Sequence, residues 1–101
     1  MSTNTVTKEK LNLDVDLGKT YSLILHNDDT TPFDFVMFLL VKVFYKTTEE
    51  AITITMAVHN EGKRKVMQGQ KEQLEKKQND AMGMARQMGF NDFTITVEED
   101  E

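Results

Sequence analysis

Residues 25–36 read LHNDDTTPFDFV. Upstream, Thr20 to His26 (TYSLILH) carries the aromatic and β-branched content of a strand. Asn27-Asp28-Asp29-Thr30-Thr31 is turn chemistry, because Asn and Asp side chains bond their own backbone. Thr30 or Thr31 suits a helix N-cap, and Pro32 then falls near the first helical position, where its missing N–H costs nothing. Phe33 to Tyr45 is almost wholly apolar, with Asp34 in the first turn and Lys42 and Lys46 at the end, as the helix dipole favours. A helix this apolar has to be covered on most sides. The stretch is therefore a hand-over from strand to helix. An imidazole, an amide and two adjacent acids gather there; two acids before a helix are usually only a turn, and the question is what cation, if any, they await.

Working outward, Thr47 and Glu50 are spaced as a capping box. The following ITIT alternates like a strand, yet the cap before it and Gly62 after it bracket a helix over 48–61. Lys65 to Gln68 offers only a short strand. Residues 70–88 carry one apolar stripe of Leu74, Ala81, Met84, Ala85 and Met88, the pattern of an amphipathic helix. Gly83 costs that helix about 1 kcal/mol relative to Ala, and Gly89 is its natural stop. Phe93, Ile95 and Val97 then alternate with polar residues as a half-buried strand does. At the start, Leu11, Leu13, Val15 and Leu17 alternate with Asn12, Asp14 and Asp16, but the acids and Gly18 favour an arm over a strand. The division expected is an arm over 1–18, a domain over 19–98 and a solvated acidic tail over 99–101. The element order β-α-α-β-α-β predicts an α+β fold, a three-stranded antiparallel sheet with three helices packed on one face.

The 101 residues suffice for one domain that buries roughly 60–70% of its unfolded surface. Apolar content of 39% and charged content of 29% suit a globular chain rather than a disordered one. No apolar run nears the ~20 residues that span a bilayer, and MSTNTVTKEK has no apolar core of a signal peptide, so no membrane partner is expected and the cytoplasm is the expected location. With no cysteine, disulfides, thiol catalysis and Cys-based zinc sites are excluded. A net charge of −5 argues against nucleic acid as partner. Lys63-Arg64-Lys65 reads as a solvated turn. The acidic surface, without a coiled-coil seam, points to a monomer.

His59 sits near the end of the second helix, and Thr55 lies one turn back on the same face, so whatever surface one lines the other lines too. The structural reading of His59 is a helix-terminal imidazole bonding a carbonyl. For the acids three readings compete. A metal site on His26, Asp28, Asp29 and His59 lacks any HxH, HExxH or EF-hand spacing. Acid–base catalysis by an Asp–His pair lacks a nucleophile motif, a phosphate loop or a cofactor signature, so no cofactor is expected. Capture of an ammonium group fits the chemistry: an ammonium offers three donors, and an amide carbonyl, carboxylates and a neutral imidazole nitrogen accept. These residues by themselves do not choose.

HNDDTTPFDFV followed by MAVHNEGK resembles the ClpS family of adaptors, which present N-degrons to the Clp protease. The family pattern is a strand ending in L-x-N-D-D, then T-P and an aromatic-rich helix, with a second helix closing on V-H-x-x-G-K. The resemblance covers Leu17 to Glu98. It implies a non-enzymatic adaptor in which Asn27, Asp28, Asp29 and His59 hold the α-amine of a bound peptide. Its first side chain, Leu, Phe, Tyr or Trp, would enter a pocket of Thr31, Phe33, Val36, Thr55, Val58 and Phe93. Burying an aromatic of 150–250 Å² at ~25 cal/mol/Å² is worth roughly 4–6 kcal/mol at most. The resemblance also implies that Glu72 and Lys77 touch the N-terminal domain of a ClpA- or ClpC-like AAA+ unfoldase. The alternative is a ClpS-fold protein that docks the unfoldase and inhibits or redirects degradation. Stalk-like ribosomal domains share the fold class but lack the N-D-D and His pairing. The chain departs from the pattern where the family has Met, at Phe33 and Thr55, and residues 66–71 lack its Cys-Gly-aromatic segment. A reshaped side-chain preference is the expectation.

Overall fold

A computed structural model describes residues 18–100. The arm expected over 1–18 lies, but for Gly18, outside the described residues. Three strands form one antiparallel sheet: β1 (Tyr21–His26) at the centre, flanked by β2 (Lys63–Gly69) and β3 (Thr94–Glu99). Between them come α1 (Phe33–Lys42), α2 (Thr48–Glu61) and α3 (Lys71–Gln87). The order is the expected β-α-α-β-α-β.

β1 is central because it is the most apolar strand, and only a central strand is paired on both sides. Tyr21, Leu23 and Leu25 turn inward and are buried with Leu39, Leu40, Leu74 and Ile95 beneath the helices. Each such aliphatic side chain contributes about 1.5–3 kcal/mol on burial. Across the sheet Leu25 faces Ile95 and Leu23 faces Val97. On the other side the register slips: Leu23 pairs Met67 and Ile24 pairs Lys65, so Val66 is an extra residue. This bulge turns Val66 into the core, where it is 3% exposed. It also explains why the strand reads weakly in the sequence. Lys63-Arg64-Lys65, expected in a turn, instead starts this edge strand.

The boundaries of α2 follow the local signals. Thr47 and Glu50 form the reciprocal capping box, and Gly62 takes a left-handed φ of 98° to end the helix. α1 departs from expectation at both ends. Its N-cap is Pro32, not a threonine, and it has no side-chain cap. It stops at Lys42 rather than Tyr45: the Phe44 N–H reaches back to the Leu39 carbonyl and the Lys46 N–H to Leu40, with Tyr45 left-handed at φ 55°. One side of α1 is buried through Phe35, Leu39 and Leu40, while Phe33 and Phe38 each stay 46% exposed. At the other end of the chain β3 runs one residue past the expected domain limit of 98. Asp100 then bonds the Thr20 carbonyl through its N–H and accepts from Ser22 and Gln68, so this part of the acidic tail belongs to the sheet.

α3 buries Leu74, Ala81 and Ala85 and ends at a left-handed Gly89. Gly83 lies inside it, and a methyl group added there meets nothing within 4 Å. Gly83→Ala should therefore stabilise the fold by roughly 0.5–1 kcal/mol, seen as a higher urea midpoint at unchanged slope.

Candidate functional site

The site begins at the turn that ends α2. Gly62 can adopt its left-handed φ because it has no Cβ, and the Gly62 carbonyl then accepts the Asn27 N–H at 2.8 Å. That bond fastens the end of α2 to the end of β1. It brings His59, one turn before Gly62, beside the Asn-Asp-Asp loop.

Within the loop, Asp28 builds the turn. Its Oδ1 accepts the N–H groups of Thr30 at 2.9 Å and Thr31 at 2.7 Å, and its Oδ2 accepts the Thr31 hydroxyl at 2.8 Å. Partial burial pushes the Asp28 carboxyl up, but the bonds from Thr31 and Thr30 outweigh it and hold the group below its usual 3.8. Thr30 in turn donates to Asp92 at 2.8 Å, which ties the loop to the segment before β3. The threonines expected to cap α1 thus serve the loop instead.

A cavity of about 380 Å³ opens here, within the size range of small-ligand pockets. Every residue assigned above to the amine group and to the side-chain pocket lines it. Thr55, Val58 and Phe93 are buried and form its interior, with Val36 half-buried beside them. Phe33 and His59 are exposed at the rim and pack edge to face, centroids 5.4 Å apart at 80°. Asn27 and Asp29 are exposed at the same rim. The rim therefore offers an amide, a carboxylate and an imidazole whose acceptors no side-chain bond among the described residues takes up. Asp28 adds negative charge while its oxygens hold the turn.

Sequence reasoning missed Leu25, His26, Thr30 and Pro32 as lining residues, and Asp92 as a support. The alternation of β1 points Leu25 inward, so that one was legible; no local signal links Asp92 to Thr30. His26 does not join the acids as a ligand, since its Nε2 lies 2.8 Å from the Thr96 hydroxyl. Among the described residues no group of three or more His, Asp or Glu side chains is placed to hold a metal ion. Nor is any helix among them long and apolar enough to cross a membrane.

Glu72 and Lys77 lie away from the cavity, on α3. Glu72 is exposed in the first turn. Lys77 is half-buried: its Nζ donates to the Val43 carbonyl at 2.8 Å and sits 4.5 Å from the centre of the Tyr45 ring. It holds down the irregular end of α1 that the left-handed Tyr45 creates.

An acceptor-rimmed apolar cavity at one end of a helix-covered three-stranded sheet defines a small α+β module of the binding kind. The chain belongs to the ClpS family: the family model described as ATP-dependent Clp protease adaptor protein ClpS matches residues 17–96. Curated ClpS adapter proteins of Acetivibrio thermocellus (44% identical over 63 residues, 62% of this chain and 64% of that protein) and Lawsonia intracellularis (39% over 72 residues, 71% and 66%) are similar to it. The matched segment covers 47% of the Nitratidesulfovibrio vulgaris relative, at 51% identity over 49 residues. This chain thus spans about half to two thirds of the curated relatives' length. Among solved structures, Agrobacterium tumefaciens ClpS2 bound to L-phenylalaninamide matches with a TM-score of 0.78 and 29% identity, over 81% of this chain and 98% of that one.

The Asp28 turn has a pH signature. A carboxyl depressed by folding stabilises fully above its unfolded value near 3.8 and loses that contribution as the pH falls through the lower folded value. Asp28→Ala should cost about 1 kcal/mol at pH 7, as a lost cap does. In urea titrations the gap to the parent protein should narrow at pH 3.

Proposed function

We propose that this chain is an N-degron adaptor. It would bind proteins that begin with a bulky apolar residue and pass them to a Clp unfoldase. One observation carries the reading: three exposed acceptors, on Asn27, Asp29 and His59, sit on the rim of an apolar cavity. A peptide's first residue presents that pair of groups, an ammonium next to a side chain, and an internal residue does not. An α-amine has a pKa near 8 and is mostly charged at neutral pH. The L-phenylalaninamide bound by the A. tumefaciens neighbour has the same two features, a free amine and a benzyl side chain. No bond is made or broken; the work is selective binding.

The partner in this reading is the N-terminal domain of a ClpA- or ClpC-like unfoldase, with Glu72 as the free contact on α3. Lys77 takes part as a support of that face, because its ammonium is already bonded to Val43.

Acetylating the peptide amine removes the cation and two of its donors. A Phe-started peptide should lose at least tenfold in affinity when acetylated, since hydrogen bonds to charged groups are worth about 1.5–3 kcal/mol each. Equal binding of the two forms by fluorescence anisotropy would discard the amine site. His59→Ala should weaken the free peptide while leaving the melting curve intact; a melted variant would make His59 a structural residue.

The α3 residues should separate in the same manner. Glu72→Lys should weaken capture by an immobilised unfoldase N-terminal domain at unchanged stability. Lys77→Met should lower stability by about 1–2 kcal/mol in thermal unfolding, through loss of the bond to Val43.

A further inference from the structure

Thr55 is 4% exposed, and its Oγ1 is the one buried side-chain oxygen or nitrogen among the described residues with no hydrogen-bond partner. A threonine inside a helix ordinarily resolves this by bonding the carbonyl one turn back, and Thr55 does not. A buried hydroxyl left alone is unfavourable. The cavity it lines supplies no remedy from Leu25, Val36, Val58 or Phe93, which are hydrocarbon there. The nearby Thr31 hydroxyl already donates to Asp28.

The Thr55 Oγ1 is itself covered, so it meets a ligand in the cavity by turning about χ1, where threonine in a helix uses two rotamers. Thr55 precedes His59 by one turn, about 6 Å along the axis of α2. A side chain whose own amine is held at the His59 rim directs its tip inward along that turn. We propose that Thr55 reads the tip of the bound first side chain, so that the cavity favours tyrosine over phenylalanine through a hydrogen bond between the phenol and the Thr55 hydroxyl. The proposal rests on the adaptor reading above and names the substrate class of the same site. A phenol buried in this cavity needs a partner, and so does Thr55. Each hydroxyl can donate and accept, so each meets the other's need. Phenylalanine and leucine fill the space but leave Thr55 unpaired. Discrimination of this kind is here the size of one neutral hydrogen bond, which the competitor cannot make because it lacks the hydroxyl.

The test titrates peptides that differ only in residue one: Phe, Tyr and 4-methylphenylalanine, plus Tyr acetylated at its amine. The proteins are the parent chain, Thr55→Val and Thr55→Ser. The parent should bind Tyr roughly two- to tenfold tighter than Phe or 4-methylphenylalanine, the latter matching tyrosine in size without its hydroxyl. Thr55→Val should erase the preference by weakening Tyr alone, and Thr55→Ser should keep it. Tyr and Phe bound equally by the parent chain would overturn the proposal without any variant. So would a Thr55→Val protein that loses the same factor for both peptides. Equal binding of acetylated and free Tyr would instead overturn the adaptor reading on which the proposal stands.

Discussion

The hydrogen bond from the Asn27 N–H to the Gly62 carbonyl is the constraint on which the site depends. Two segments that are distant in sequence carry the acceptors: the loop after β1 and the last turn of α2. The left-handed turn at Gly62 aims its carbonyl at Asn27, and β2 starts at the next residue, pairing Lys63 with His26. The sheet register and the helix end thereby fix one another. A side chain at position 62 would strain the turn at its φ of 98°, and the strain would be felt at His59 first.

Two residues in the cavity wall differ in how they are satisfied. Asp28 is already engaged: its Oδ1 accepts the Thr30 and Thr31 N–H groups and its Oδ2 the Thr31 hydroxyl, so the loop keeps its shape with nothing bound. Thr55 is the opposite, a buried oxygen with no partner. The first is preorganised structure, and ligand contact at such a group adds little reorganisation. The second is a local deficit, which in the reading proposed above the bound side chain removes. Interiors tolerate few such deficits, and those that persist concentrate where something binds.

Much of the fold was legible because it rests on local chemistry. The Thr47–Glu50 box and Gly62 identified α2 in spite of its strand-like ITIT, and the structure keeps those bounds. Gly89 marked the end of α3. What was illegible involves partners far apart in the chain. Nothing between Lys42 and Thr47 breaks a helix by type, since no Gly or Pro occurs there. α1 ends early because its last turn widens, with the Phe44 N–H on the Leu39 carbonyl and the Lys46 N–H on Leu40, while Lys77, from α3, takes the Val43 carbonyl. The Val66 bulge exists only in the pairing with β1, where Leu23 faces Met67 and Ile24 faces Lys65. At the site, residue types left several readings of the acids open; the motif resemblance supplied both the amine group and the side-chain pocket, and those residues line one cavity. Neither revealed that Asp28 is spent on the turn, that Thr30 and Thr31 serve it rather than the helix, or that Asp92 supports it from sixty-odd residues away.

Phe33 and His59 touch edge to face across the mouth of the cavity. One belongs to the side-chain pocket and the other to the acceptor rim, and their contact makes the two parts mechanically common. A change in the ring at 33 alters the support of the imidazole as well as the width of the entrance. Substitutions in contact rarely add, and coupling of 0.5–3 kcal/mol between neighbours is ordinary. In the adaptor proposed above, selectivity for the side chain and grip on the backbone terminus would then be epistatic. A lineage that retunes position 33 must search for both properties at once, and the order in which replacements at 33 and 59 arrive decides which of them is tolerated.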